Sequence, residues 1–410
     1  MSEWKCYKLN EISSLSNGIN FDKSAYTSGV KLVGVSDFKN RIYPDYDSLL
    51  EVDTKVVKSG DYLEKGDIVF VRSNGNKELV GRCMMIDSDI PVTYSGFCIK
   101  LHLKDKKRFD PVFFNYLFRT RQFKKSMTGT AVGANIQNLS QSRLGNCEVK
   151  VPNIEIQHRI ATILSRYDSL IENYQKQIKL LEEAAQRLYK EWFVDLHFPG
   201  NENTKIVDGV PEGWEKKTID DVTCKVTTGL NPRKNFVLGK GSNYYVTIKN
   251  MADNTFFLDD RCDKVDNEAL EKINKRSDLK IGDILFSGIG TIGRVALVDI
   301  PTNNWNVSES VFTMRVNDIA TKEFLYLMLL SPDMQNYCQS NAHGAAQKGI
   351  RMADLKAYGF ILPHFMFIQK FTSIVSPLLK EVSSIRNQIR LLTEARDRLL
   401  PKLMNGEIIT

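Results

Sequence analysis

Residues 287–299, SGIGTIGRVALVD, carry the glycine spacing that could cradle a phosphate. Gly288, Gly290 and Gly293 fit G-x-G-x-x-G, as in dinucleotide-binding folds, and the next residue but one, Val295, extends the match to the kinase pattern G-x-G-x-x-G-x-V. A dinucleotide loop must open a helix, because the pyrophosphate rests on helix N-terminal amides. Arg294 instead leads into VALVDI, a β-branched run that reads as a strand. A kinase loop needs a lysine soon afterwards, yet none occurs between Arg294 and Lys322, and the chain has neither H-R-D nor D-F-G beyond it. These glycines therefore predict a tight strand–loop–strand turn.

Other chemistry is equally thin. The Asn/Asp-Pro-Pro-aromatic motif of amino-methyltransferases is absent, and NPRK at 231–234 does not replace it. No Walker loop, H-E-x-x-H or nuclease carboxylate–lysine cluster occurs, and the histidines at 102, 158, 197, 343 and 364 are isolated. Seven cysteines without a C-x-x-C pair argue for reduced thiols and against a zinc site. The expectation is a chain that performs no catalysis and holds no metal or cofactor.

At the scale of the whole chain, 410 residues suffice for two or three domains, and 42% hydrophobic with 26% charged residues is ordinary for a globular protein. No apolar run of 18 residues is present, and the N-terminus lacks the apolar core of a secretion signal, so a cytoplasmic protein is expected. The net charge of +7 is unevenly spread: residues 1–150 hold 23 Lys+Arg against 17 Asp+Glu, while residues 205–360 hold 20 of each. That excess permits a polyanionic partner without demanding one.

The chain is written twice. QIKLLEEAAQRL at 177–188 matches QIRLLTEARDRL at 388–399 at eight of twelve positions, an offset of 211. The same offset pairs Pro152 with Pro363. Upstream, GDIVF at 66–70 answers GDILF at 282–286, and FNYLF at 114–118 answers FLYLM at 324–328. The first-copy counterpart of the glycine stretch, SNGNKELVGRCMMID at 73–87, keeps the Gly-Arg but has lost the phosphate-loop spacing. A catalytic loop is not expected in either copy.

Each copy closes on a helical ladder. Ile160, Leu164, Tyr167, Ile171, Tyr174, Ile178, Leu181, Ala185, Leu188 and Trp192 step by four and three without a break. Adding 211 gives Phe371, Val375, Leu378, Val382, Ile385, Ile389, Leu392, Arg396, Leu399 and Leu403. A 3.5-residue period held this long is a coiled-coil seam, with the two copies as partners. Arg396 is the single polar rung, and Pro377 predicts a delayed or kinked start to the second helix. The 33-residue ladder would measure about 50 Å. The heptads leave parallel and antiparallel packing open.

Upstream of each ladder the pattern is mixed. Short β-branched runs alternate with loops, and one helix (PVFFNYLFRTRQFKKSM, then KEFLYLMLLSPDMQNYCQS) precedes a glycine-rich segment. The expected architecture is α+β: two pseudo-repeated mixed domains over 1–152 and 211–362, helices over 153–198 and 363–410, and a polar linker over 199–210.

AAQRLYKEWFVDLHFPG at 184–200, VPEGW at 210–214 and RDRLLPKLMNGEI at 396–408, with the paired Gly-Asp-Ile strands, resemble the specificity subunit of a type I restriction–modification enzyme. The resemblance covers essentially the whole chain. It implies that each mixed domain reads one half of a bipartite, gapped site in double-stranded DNA. It also implies antiparallel helices that set the gap and dock two methyltransferase subunits, joined by restriction/translocase subunits. S-adenosylmethionine would then belong to the methyltransferase, and ATP and Mg to the restriction subunit. The competing expectation is a coiled-coil assembly scaffold that never touches nucleic acid.

If DNA is read, Lys and Arg suit phosphates and guanine, and Asn and Gln suit adenine. Three loops per copy supply such groups. The first offers Asn17 and Asn20, answered by Asn231, Arg233 and Lys234. The central hairpin offers Arg72, Ser73, Asn74, Asn76, Lys77 and Arg82, answered by Ser287, Thr291 and Arg294. The glycine-rich segment offers Thr130, Asn135, Gln137 and Asn138, answered by His343, Gln347, Lys348 and Arg351. Arg82 and Arg294 also suit a structural role at the strand end.

Overall fold

The computed structural model describes residues 4–38, 41–76, 79–128, 138–344 and 348–408. It divides into two compact units, residues 1–173 with 389–410, and residues 174–388. Each unit therefore contains one mixed domain and one half of each of two long helices, Ile154–Phe193 and Phe365–Met404.

In the first unit a four-stranded antiparallel sheet runs in the order Ser13–Asn17, Cys98–Leu103, Ile68–Val71, Cys83–Met85. The second unit repeats it as Thr223–Thr228, Val311–Val316, Ile284–Ser287, Val295–Leu297. A three-stranded sheet with one parallel pair accompanies each, built on Tyr26–Val33 in one unit and Asn243–Val246 in the other. These two sheets are thus duplicated strand for strand, and the second copy adds a small hairpin, Met251–Ala252 with Thr255–Phe256. It also adds a helix, Asn267–Ser277.

The paired Gly-Asp-Ile motifs open the central strand of each large sheet. Gly66 and Gly282 sit at φ of 91° and 95°, a region that favours glycine. The next residue, an aspartate, is buried: Asp67 accepts from the Glu64 amide and meets His102 at 2.7 Å, while Asp283 accepts from the Lys280 amide and from Arg315 Nε at 2.7 Å. The hydrogen bonds it donates to Asp283 hold the Arg315 guanidinium above its ordinary range. Beyond the aspartate, Ile68 and Phe70 enter one core cluster while Val69 and Val71 enter another. Ile284 and Phe286 likewise face away from Leu285. Burial on both faces is why these strands are continuously apolar.

The ladder residues are buried or half-buried at every rung of both helices, Arg396 included. In the first unit Ile160 and Leu164 share a core with Leu403 and Met404, and Asp168 meets Arg396. In the second unit Glu182 meets Arg386 at 2.6 Å, and Trp192 packs on Phe371 with ring centroids 6.0 Å apart. In both units, moving forward along one helix means moving backward along the other, so the coil is antiparallel. Arg396 is satisfied by Asp168, which also accepts from the Tyr116 hydroxyl at 2.5 Å, and by Asp397.

Three local expectations change. The helix containing Pro377 starts at Phe365, so the proline does not delay it. The helix before each glycine-rich segment is two helices: Pro111–Arg119 and Arg121–Thr128, then Lys322–Leu329 and Pro332–Ser340. Thr120 and Ser331 are extended at the breaks, and Pro332 enforces the second one. The linker is not featureless, because Ile206–Val207 and Val210–Pro211 form a small hairpin over Asp208 and Gly209, both at positive φ.

Candidate nucleic-acid interface

Asn17, Val71, Cys83 and Cys98 all lie at one end of the first unit's large sheet, as the registers Asn17↔Ile99, Val71↔Cys98 and Phe70↔Cys83 require. The loops leaving that end are stitched together by backbone. Ser73 bridges to Asn138, and the Leu139 amide donates to Arg72 at 2.8 Å, tying the central hairpin to the end of the glycine-rich segment. Arg72 and Ser73 in turn donate to the Phe97 carbonyl. Ile19 bridges to Ser95, and the Gly96 amide donates back to Ile19 at 2.7 Å, bringing in the first loop.

The second unit builds the same junction. Ile289 bridges to Gly349, and the Gly290 amide donates to Lys348 at 2.7 Å. Gly288 donates to Ser310 and Gly229 to Ser308. Gly18 and Gly229 are obligatory here, because a Cβ at Gly18 would strike the carbonyls of Tyr94 and Ser95, and one at Gly229 that of Val307. Burial pushes the Tyr94 hydroxyl up to about 12, and it donates to the Asn17 carbonyl. Tyr245, raised by burial and then by Glu309, joins Leu230 to Glu309 in the second copy.

The glycine stretch of residues 287–299 is the tip of an antiparallel hairpin. Gly290 and Gly293 have φ of 79° and 89°, while a Cβ at Gly288 would collide with the Phe312 ring. Each glycine thus has a packing or backbone reason that needs no phosphate.

The candidates divide by placement. Asn17, Asn20, Asn76, Asn138, Arg233, Lys234, Thr291, His343, Lys348 and Arg351 are exposed on the converging loops, and Arg72, Ser73, Asn74 and Arg82 are half-buried there. Asn74 and Asn231 stiffen their turns by accepting from backbone amides two residues on. His343 pairs with Asp354 at 3.1 Å. Two candidates are turned inward instead. Ser287 is fully buried, donating to the Thr291 carbonyl and accepting from the Arg294 amide. The Arg294 guanidinium is spent on the carbonyls of Ile248 and Met251. Lys77, Thr130, Asn135, Gln137 and Gln347 lie outside the described residues.

Sequence reading missed the turn Ser95–Phe97 and its counterpart Ser308–Ser310. Phe97 is 60% exposed at the centre of the junction. An aromatic directly before a paired strand, in a Ser-Gly-Phe turn, was the available signal. Among the described residues no group of three or more His, Cys, Asp or Glu side chains could hold a metal, and no helix is long and apolar enough to cross a membrane.

Comparison with known proteins agrees with this duplicated geometry. The model of the type I restriction modification DNA specificity domain matches twice, over residues 1–183 and 211–393. The MjaIX specificity subunit of Methanocaldococcus jannaschii is 29% identical over 298 residues, 72% of this chain and 68% of its own length. The HindI specificity subunit of Haemophilus influenzae is 23% identical with both chains fully covered. The crystal structure of a type I restriction–modification S subunit from M. genitalium superposes with a TM-score of 0.59 at 18% identity, over 98% of this chain and 96% of that one. The chain belongs to the type I restriction–modification DNA specificity family and carries its domain twice.

Proposed function

We propose that this chain is the non-catalytic, DNA-reading subunit of a cytoplasmic type I restriction–modification complex. Each mixed domain reads one half of a gapped site in double-stranded DNA, and the paired helices set the gap. The observation that carries this reading is the convergence of three loops at the same sheet end in both copies, with the bridge from the central hairpin to the end of the glycine-rich segment, Ser73–Asn138 and Ile289–Gly349, repeated. Rigidly held loops are where recognition residues are usually placed.

The exposed faces of the two long helices are offered to two methyltransferase subunits, and restriction/translocase subunits join that core. S-adenosylmethionine is held by the methyltransferase, and ATP with Mg by the restriction subunit. Each helix has 40 residues, about 60 Å at 1.5 Å per residue, enough to hold two half-site centres one helical turn apart.

Salt titration separates a reader from a scaffold. With its methyltransferase partner, the full chain is expected to lose duplex affinity by on the order of a thousandfold between 50 and 200 mM salt, as six or more phosphate contacts require. A complex that assembles but shows no salt-dependent DNA affinity would make the chain a scaffold.

A further inference from the structure

The first copy carries a cationic cleft at the base of its central hairpin. Arg41, Arg82, Arg119 and Lys124 line it together with Phe38 and Phe118, and among the described residues no carboxylate does. Arg82 is fixed where the hairpin closes, its carbonyl accepting from the Val71 amide at 2.9 Å. Arg119, the last residue of the helix Pro111–Arg119, donates to the carbonyls of Cys83 and Arg41 and so ties three segments around the opening. Its Nε is buried without a hydrogen-bond partner. The Lys124 side chain is exposed at the cleft, and partial desolvation there, with Arg82 and Arg119 beside it, holds its ammonium below its ordinary range. The Cys83 thiol is itself pushed up by burial and opposes that shift when ionised. Arg41 is partly balanced, by Asp45 at 2.9 Å.

The second copy is an internal control. Leu329 comes after FLYLM where Arg119 comes after FNYLF. Beside Gly293, the counterpart of Gly81, lies the neutral Gln335, which donates to the carbonyls of Gly293 and Leu329 at 3.0 and 2.8 Å. The Arg294 guanidinium is turned onto backbone carbonyls. Cations gathered around one opening cost Coulomb energy that a neutral set avoids, and an anion between them relieves it. Guanidinium forks and an ammonium are the groups that hold a phosphate.

We propose that this cleft seats a backbone phosphate of the duplex and so fixes the register of the first domain, while the second domain has no equivalent clamp among its described residues. The proposal rests on the DNA-reading function above and assigns a positioning contact within it, since phosphate contacts orient a protein on DNA without specifying bases.

The test compares wild-type, Lys124→Gln and Lys124→Arg chains, each assembled with the methyltransferase, on cognate and random duplexes across a salt series. Lys124→Gln is expected to reduce the slope of log affinity against log salt by about 0.9, weakening both duplexes alike, and Lys124→Arg to restore it. Wild-type binding with an unchanged Lys124→Gln slope overturns the cleft and leaves the reader intact. Wild-type complex without salt-dependent binding sinks the DNA-reading function itself. Inorganic phosphate supplies the second arm: stabilisation of wild-type but not Lys124→Gln chain by phosphate, with an unaltered DNA slope, would assign the cleft to a small anion and overturn the proposal.

Discussion

Deleting residues 396–410 is expected to destabilise the first unit strongly while leaving the second at its wild-type stability. Leu403 and Met404 are 1% and 6% exposed in the core that contains Ile68, Phe70 and Phe113, with Leu399 and Leu400 packed against it. Burying a Leu or Met side chain is worth about 1.5–3 kcal/mol each, so the two buried residues alone supply about 3–6 kcal/mol. Deletion also strips Arg396 from Asp168, whose side chain is 17% exposed. The loss is comparable to the whole stability of a typical domain, about 5–15 kcal/mol. Calorimetry is expected to show two transitions, one near the wild-type temperature and one lower by about 10–20 °C. A single unshifted transition would mean that the C-terminal turns are dispensable to the first domain.

Lengthening both long helices by seven residues is expected to widen the gap in the recognised site by about 3 base pairs, from about 10.5 Å of added helix. Seven is the required number because it preserves the 3.5-residue seam, whereas four would rotate half of each ladder away from its partner. Both helices must be lengthened together. One alone would put Glu182 and Arg386, or Asp168 and Arg396, out of register. Mapping the methylated sites of the doubly extended chain reads the result, and an unchanged gap would remove the helices as a ruler.

How much of this was legible depended on the range of the interaction. The ladder could be read because each rung is buried by its own spacing, and the duplication because GDIVF and GDILF each face an equivalent pair of cores in their own unit. Helix direction could not be read. It shows only in pairings such as Asp168–Arg396 and Glu182–Arg386, whose members lie more than 200 residues apart. The break at Pro332 was readable from the proline, whereas that at Thr120 has no such marker. Loop composition nominated the polar residues, but the Ser73–Asn138 bridge joins backbones 65 positions apart and leaves no side-chain pattern. Composition also gave no way to separate Arg82, in a cationic cleft, from Arg294, turned onto carbonyls.

The most direct test is to map methylated bases in the DNA of cells that express this chain with its methyltransferase. Two short words are expected, separated by a fixed run of unspecified bases, with their centres about one helical turn apart. A single contiguous word, or no methylation from a correctly assembled complex, would contradict a pair of readers joined by a helical spacer.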